Sequence, residues 1–282
     1  MDKRTVATTV LCAVAALGAS AVMTKVVPAS DGAASAQVKA APPTASSTTR
    51  SSQSQAPKQP QLSTSPSPRP NGPVPEDSGV TRIAGALFEG TVEGDHFCTA
   101  TVVHSPRRNL IVTAGHCLLD GRTGGAGAIF APAYADGRAP YGTWKIEEVY
   151  EDPRWAEGTD DAYDLAFARL APDASGRNIE DVTGAATLDT TGRTGEEVTV
   201  TGYPADRKVP RTCTGIAVRE SATEQRFDCA DFPGGTSGSA WIAKDGRIIG
   251  ILTGGDTDDV STSTLLGEYA ATLYARATGA KR

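Results

Sequence analysis

Three short stretches of this chain carry residue types that can do chemistry together. In Gly234-Gly235-Thr236-Ser237-Gly238-Ser239-Ala240-Trp241 a hydroxyl stands among three glycines, just ahead of an apolar run. Glycine lets the backbone turn sharply and approach a ligand closely. A serine held in such a turn presents its Oγ while nearby N–H groups point into a shared hollow, as a nucleophile and an oxyanion hole require. Clusters of Gly, Ser and Thr more often mark plain turns, so the context decides. The second stretch, Leu110-Ile111-Val112-Thr113-Ala114-Gly115-His116-Cys117, ends an apolar run in small residues and delivers a histidine beside a cysteine. His96 and His104 lack that setting and read as ordinary core or surface residues. In the third stretch, Asp160-Asp161-Ala162-Tyr163-Asp164-Leu165-Ala166, only Asp164 directly enters a strand-like alternation, where its carboxylate can meet an imidazole partly out of water. Asp160 and Asp161 read as solvated.

Short strands are what must position these groups. Apolar runs at 83–88, 97–103, 110–113, 128–133, 144–149, 165–170, 198–202, 241–243 and 248–253 are separated by Gly, Pro and Asp. That pattern predicts an all-β sandwich or barrels. Thirty glycines, eighteen prolines and 6% aromatics agree with a loop-rich fold. One helix is expected, at the end. Leu265, Leu266, Tyr269, Ala270, Leu273, Tyr274 and Ala277 form a helical stripe, with N-caps offered at 261–264. It should pack on the domain surface.

The N-terminal third reads differently. Asp2-Lys3-Arg4 precedes an uncharged run to Thr24, and Ala19-Ser20-Ala21 and Ala34-Ser35-Ala36 are both small-residue cleavage patterns. Residues 1–36 are therefore read as a signal peptide, the alternative being an uncleaved anchor. Residues 37–79 are Pro-, Ser- and Thr-rich, too polar to offset their ordering entropy, and read as a disordered linker or pro-segment. Residues 80–282 are left as the folded domain. The net charge of −6 is uneven: seven basic residues against Asp2 and Asp31 leave +5 on residues 1–75, hence −11 on the remainder. An acidic domain repels phosphate backbones, so nucleic acid is not an expected partner. Setting aside Cys12 in the leader, Cys98, Cys117, Cys213 and Cys229 make an even number in an exported chain, which suggests two disulfides. A bridge from Cys117 to Cys98 would pin the loop carrying His116, stabilising by about 3 kcal/mol in the chain-entropy model. No C-x-x-C spacing occurs, so a metal site is not expected.

Taken in order, Thr113-Ala114-Gly115-His116-Cys117, Asp164-Leu165-Ala166 and Gly235-Thr236-Ser237-Gly238-Ser239 resemble the chymotrypsin-like serine peptidases. The order His, Asp, Ser belongs to that clan, whereas α/β-hydrolases run Ser, Asp, His. Residues 198–204 through Gly254-Gly255 resemble the bacterial glutamyl endopeptidase branch. The resemblance runs from Ile83 to the C-terminus. It implies two packed six-stranded antiparallel β-barrels with a C-terminal helix and an active site in the cleft between the barrels. It also implies Ser237 as nucleophile, His116 as base and acid, Asp164 as its orienting partner, and the N–H groups of Gly235 and Ser237 as the oxyanion hole. Thr253, Gly254 and Gly255 would pair with substrate backbone, and Thr253 could also donate its hydroxyl to Asp164. Cys213 and Cys229 then remain to pair with each other. The chemistry needs no cofactor.

Two departures from that pattern matter. Thr236 replaces the aspartate that receives the new N-terminus in trypsin-type zymogens, so priming by cleavage after Arg82 is not expected. Leu252 and Thr253 stand where glutamyl-specific relatives carry a histidine. Asp231 holds the place of an acidic pocket floor, yet Pro233 replaces the neighbouring cysteine, and we read Asp231 as a solvated loop acid. The expectation is an exported, monomeric serine endopeptidase acting on polypeptides, secreted or held at the cell envelope by its N-terminal segment. Preference at the cleaved bond should be for a small or apolar residue. The alternatives are a catalytically silent binding module and an esterase on the same scaffold.

Overall fold

The fold is described from a computed structural model, covering residues 79–119 and 125–279. The expected leader and most of the linker lie outside the described residues. The described residues form thirteen strands: β1 (Ala84–Phe88), β2 (His96–Val103), β3 (Leu110–Thr113), β4 (Ile129–Pro132), β5 (Trp144–Glu151), β6 (Ala166–Leu170), β7 (Thr187–Leu188), β8 (Glu196–Gly202), β9 (Arg211–Arg219), β10 (Glu224–Asp228), β11 (Ala240–Ala243), β12 (Arg247–Thr257) and β13 (Val260–Thr264). The first six close into a barrel in the order β1-β2-β3-β6-β5-β4. In the second half the order is β11-β8-β9-β10-β13-β12, and the β11–β12 pairing closes that ring too. The two-residue β7 lies parallel on the outer edge of β12. Two antiparallel six-stranded barrels and a C-terminal helix, Glu268–Thr278, are therefore the fold.

Side-chain alternation explains how the barrels meet. On β11 and β12, Trp241, Ala243, Ile249 and Leu252 fill the second barrel with Val198, Val200 and Phe227. Their neighbours Ala240, Ile242, Ile248 and Ile251 point the other way, into the apolar cluster of the first barrel. Successive strand residues face opposite sides, the phase shifting once on β12 at the bulge that leaves Ile249 without a partner on β11, so a strand buried on both faces must be apolar throughout. That is why Ile248-Ile249-Gly250-Ile251-Leu252 reads as an unbroken run.

Each of the nine apolar runs lies in a strand, within a residue or so at most ends. The four strands without such a run, β7, β9, β10 and β13, are the polar ones. On β9, Thr214 and Ile216 are exposed and only Ala217 is buried. In β13 the Ser261-Thr262-Ser263-Thr264 run, expected to cap the helix, is a core strand instead. Ser261, Ser263 and Thr264 are buried, and Ser263 Oγ accepts the Ile251 N–H at 2.8 Å. Hydroxyls that bond within the barrel can line a core as methyl groups do. The helix therefore starts later, at Glu268, with Gly267 as N-cap, and it buries Ala270, Leu273 and Ala277 in the first barrel's cluster. Among the described residues no helix is long and apolar enough to cross a membrane.

Candidate active site

β3 is fully buried and ends at Thr113, so the chain leaves the barrel carrying Ala114, Gly115 and then His116, the first residue of a one-turn helix, His116–Leu119. Asp164 reaches it from the junction between a 3-10 turn, Asp161–Tyr163, and β6. The residue is 3% exposed, and its carboxylate grips His116 at two points. Oδ1 accepts the backbone N–H at 2.8 Å, and Oδ2 lies 2.7 Å from Nδ1. A carboxylate can only accept, so Nδ1 carries the proton and Nε2 is left with a lone pair. The imidazole is about one-third exposed while its partner is enclosed. The Asp164 loop is itself held from behind. Tyr163 stacks edge-on against Tyr269 of the C-terminal helix at 5.2 Å, and Thr264 Oγ1 donates to Ala162 C=O at 2.6 Å.

Ser237 is half-buried in a tight loop in which the carbonyls of residues 234–237 are all hydrogen-bonded. Gly234 C=O accepts from Ala205 N–H at 2.9 Å, and Ser237 C=O from Thr99 N–H at 2.8 Å. Gly235 C=O accepts the Thr99 hydroxyl at 3.0 Å, and Thr236 C=O accepts both the N–H and the hydroxyl of Ser239. Thr236, Gly238 and Ser239 N–H are likewise bonded, to Pro233, Leu252 and Thr236 carbonyls. Among the described residues, the N–H groups of Gly235 and Ser237 find no acceptor. Gly235 has φ +95°, and a Cβ there would lie 2.4 Å from Ala205 N, so only glycine makes this turn.

The histidine and serine segments are joined through β2. Cys117, beside His116, is disulfide-bonded to Cys98, and the next residue, Thr99, holds Ser237 C=O. The second bridge, Cys213–Cys229, ties β9 to the segment leading to Ser237. Ligand atoms of Cys98, His116 and Cys117 lie within 4.8 Å of one another, but both sulfurs are committed to the disulfide and neither is available as a thiolate.

Thr253, Gly254 and Gly255 lie on β12 just past its pairing with β11, which ends at Ile251. Leu252 bonds with Ser239 and Gly238 of the serine loop; beyond it one edge of β12 has no strand partner among the described residues. Thr253 does not reach Asp164. Its hydroxyl instead donates to Thr262 C=O on β13, across the sheet, at 3.4 Å. Asp231 is exposed and forms a bidentate ion pair with Arg207, at 2.7 and 2.8 Å, which lowers its carboxyl below the usual range. His96, which carried no signal in the sequence, is buried among Phe88, Tyr134 and Tyr203, with Nε2 2.8 Å from Pro204 C=O. Burial holds its pKa below the usual histidine value. Thr99 and Ala205 were equally silent in the sequence, since their roles are played through partners more than a hundred residues away or by the backbone alone.

Two six-stranded antiparallel barrels with this strand order define a chymotrypsin-like fold. The chain belongs to the trypsin-like peptidase domain family, which it matches over residues 98–251. A glutamyl endopeptidase of Staphylococcus epidermidis is 32% identical over 110 residues, covering 38% of this chain and 39% of that protein's length. The solved protease Anisep from Arthrobacter nicotinovorans is similar at 27% identity with a TM-score of 0.62, over 72% of this chain and 98% of that one. A thermostable serine protease, AL20, from an extremophilic microorganism is similar at 28% identity and a TM-score of 0.63, over 72% and 100% of the two chains.

Proposed function

We propose that this protein is an exported serine endopeptidase in which Ser237, His116 and Asp164 form the catalytic triad. Ser237 Oγ attacks the scissile carbonyl carbon while His116 Nε2 takes its proton. The C–N bond then breaks as His116 returns that proton to the leaving amine, and water repeats the sequence on the acyl-enzyme. Asp164 keeps the imidazole in the Nδ1–H tautomer and stabilises the imidazolium without itself becoming protonated. The N–H groups of Gly235 and Ser237 stabilise the oxyanion, and the open edge of β12 at Thr253, Gly254 and Gly255 takes the substrate backbone as an added strand. The observation that carries this reading is the two-point grip of Asp164 on His116. A fluorophosphonate probe tests it. The mature wild type should label and Ser237→Ala should not. Labelling that survives the substitution would remove Ser237 as nucleophile, and no labelling of folded protein would make this a silent binding module. Comparing amide with simple ester turnover separates a peptidase from an esterase.

Export rests on the basic and uncharged start of the chain and on two disulfides, which persist in oxidising compartments. The substrate is a polypeptide, and the preferred residue before the scissile bond is small or apolar. Leu252 is buried and carries no charge for an acidic side chain, and Asp231 is engaged by Arg207. Asp231→Asn should leave the cleavage profile on a peptide library unchanged. A marked loss of cleavage after Arg and Lys in that variant would show the pocket to be acidic.

A further inference from the structure

Thr99 is fully buried on β2 and makes four hydrogen bonds, three of them to the second barrel. Its N–H donates to Ser237 C=O at 2.8 Å, and its C=O accepts the Thr113 hydroxyl at 2.7 Å. Its own hydroxyl accepts the Tyr203 N–H at 2.8 Å and donates to Gly235 C=O at 3.0 Å. A hydroxyl has one proton to give, so the relay has a fixed direction, from Tyr203 N–H through Thr99 to Gly235 C=O. Two residues beyond Tyr203, Ala205 N–H holds Gly234 C=O at 2.9 Å. Between them, His96 Nε2 bonds Pro204 C=O. Both carbonyls flanking the Gly235 N–H are therefore fixed by one corner, and the Thr99 side chain anchors that corner to the first barrel.

The geometry points to Thr99 as a positioning residue for the oxyanion hole, which deepens the triad reading above and rests on it. In a planar trans peptide the C=O of one residue and the N–H of the next point in opposite directions. Holding Gly234 C=O on Ala205 thus aims the Gly235 N–H the other way, where among the described residues no acceptor meets it. Gly235 has φ +95° and no side chain to resist rotation, so the orientation of that peptide is set by its hydrogen bonds. Thr99 fixes the adjoining peptide directly, at Gly235 C=O, and supports the Ala205 bond through Tyr203. Preorganised donors are effective because they need no reorientation when charge develops.

Thr99→Val keeps the shape and deletes the relay, leaving Tyr203 N–H and Gly235 C=O without their partner. Acylation by the fluorophosphonate probe and kcat on a peptide substrate should both fall by about ten- to a hundredfold, as expected for one lost buried partner, with KM little changed. Thr99→Ser, which retains the hydroxyl, should restore most of the rate. A peptide aldehyde, whose adduct carries the oxyanion, should lose affinity in Thr99→Val in step with kcat. A folded Thr99→Val that acylates at the wild-type rate overturns the inference, as does a Thr99→Ser as slow as Thr99→Val. Should Thr99→Val fail to fold, Ala205→Pro decides. It deletes the donor to Gly234 C=O at an exposed corner and should slow acylation similarly; a wild-type rate there also overturns the inference. Wild type that does not label, or labelling that survives Ser237→Ala, removes the triad reading and this inference together, whereas normal labelling with unaffected variants removes only this one.

Discussion

Gly115 shows how closely the groups around His116 are set. A Cβ there would stand 2.5 Å from the Trp155 Nε1 and 2.9 Å from Asp164 Oδ1, so the glycine is what lets the carboxylate lie against the histidine turn. Gly115→Ala must push either the indole or the carboxylate aside. Because displacements of about 1 Å can cost about a hundredfold in rate, kcat should fall by about ten- to a hundredfold while far-UV circular dichroism is unchanged. An alanine variant with wild-type kcat would mean that the Asp164 grip is looser than its 2.7 and 2.8 Å contacts indicate. The same residue-scale crowding explains why the motif before the histidine ends in small residues. A larger side chain has no room between Trp155 and Asp164.

At the scale of elements, the Cys98–Cys117 bridge does two things at once. It closes a separation of 19 residues, which stabilises by about 3 kcal/mol in the chain-entropy model. It also couples the turn bearing His116 to β2, whose Thr99 holds the serine loop. The double variant Cys98→Ala/Cys117→Ala should therefore lose about 3 kcal/mol in urea unfolding and, at a temperature where it remains folded, also lose kcat. A variant with lowered stability but intact kcat would show the bridge to be a staple only. The C-terminal helix belongs to the same scale. Its Tyr269 packs on Tyr163 and bonds Thr264 Oγ1 at 2.9 Å, so an element that reads as surface packing also backs the loop of Asp164.

For the whole molecule, the half-buried Glu151 and the buried His96 set opposing pH dependences. Partial burial raises the Glu151 carboxyl from 4.5 to about 7, and among the described residues its Oε1 has no hydrogen-bond partner. The folded state thus holds this proton more tightly than the unfolded chain does. The contribution is fully present below about 4.5 and is lost as pH rises through about 7. Glu151→Gln, which stays neutral, should raise Tm at pH 8 by about 2–4 °C, the shift given by about 1 kcal/mol in a domain of this size, and should match wild type at pH 4. Equal Tm differences at both pH values would show that the carboxylate is solvated. His96 acts in the other direction. Its pKa is lowered by burial, so its contribution is present above 6.5 and is lost as pH falls through the lowered value.

The individual triad candidates and the nine apolar strands were legible because each rests on local chemistry, whereas their joint role and the pairing of the cysteines came from the resemblance to the chymotrypsin-like peptidases. A histidine after a buried strand, a serine among glycines and an unbroken apolar run all announce themselves within about ten residues. The polar strands did not, because a sequence cannot say that Ser263 will bond the Ile251 N–H and so become core. Nor could it place the Thr253 hydroxyl, which finds Thr262 across the sheet, or pair Asp231 with Arg207 rather than a ligand. The support of the serine loop lay deepest. Thr99 and Gly235 are 136 residues apart, and Ala205 acts through its backbone N–H, which every residue but proline possesses. Side-chain types are written in the chain, but which hydrogen-bonding groups meet is decided only when two barrels close and pack, since burial forces each polar group to find the partner that geometry leaves within reach.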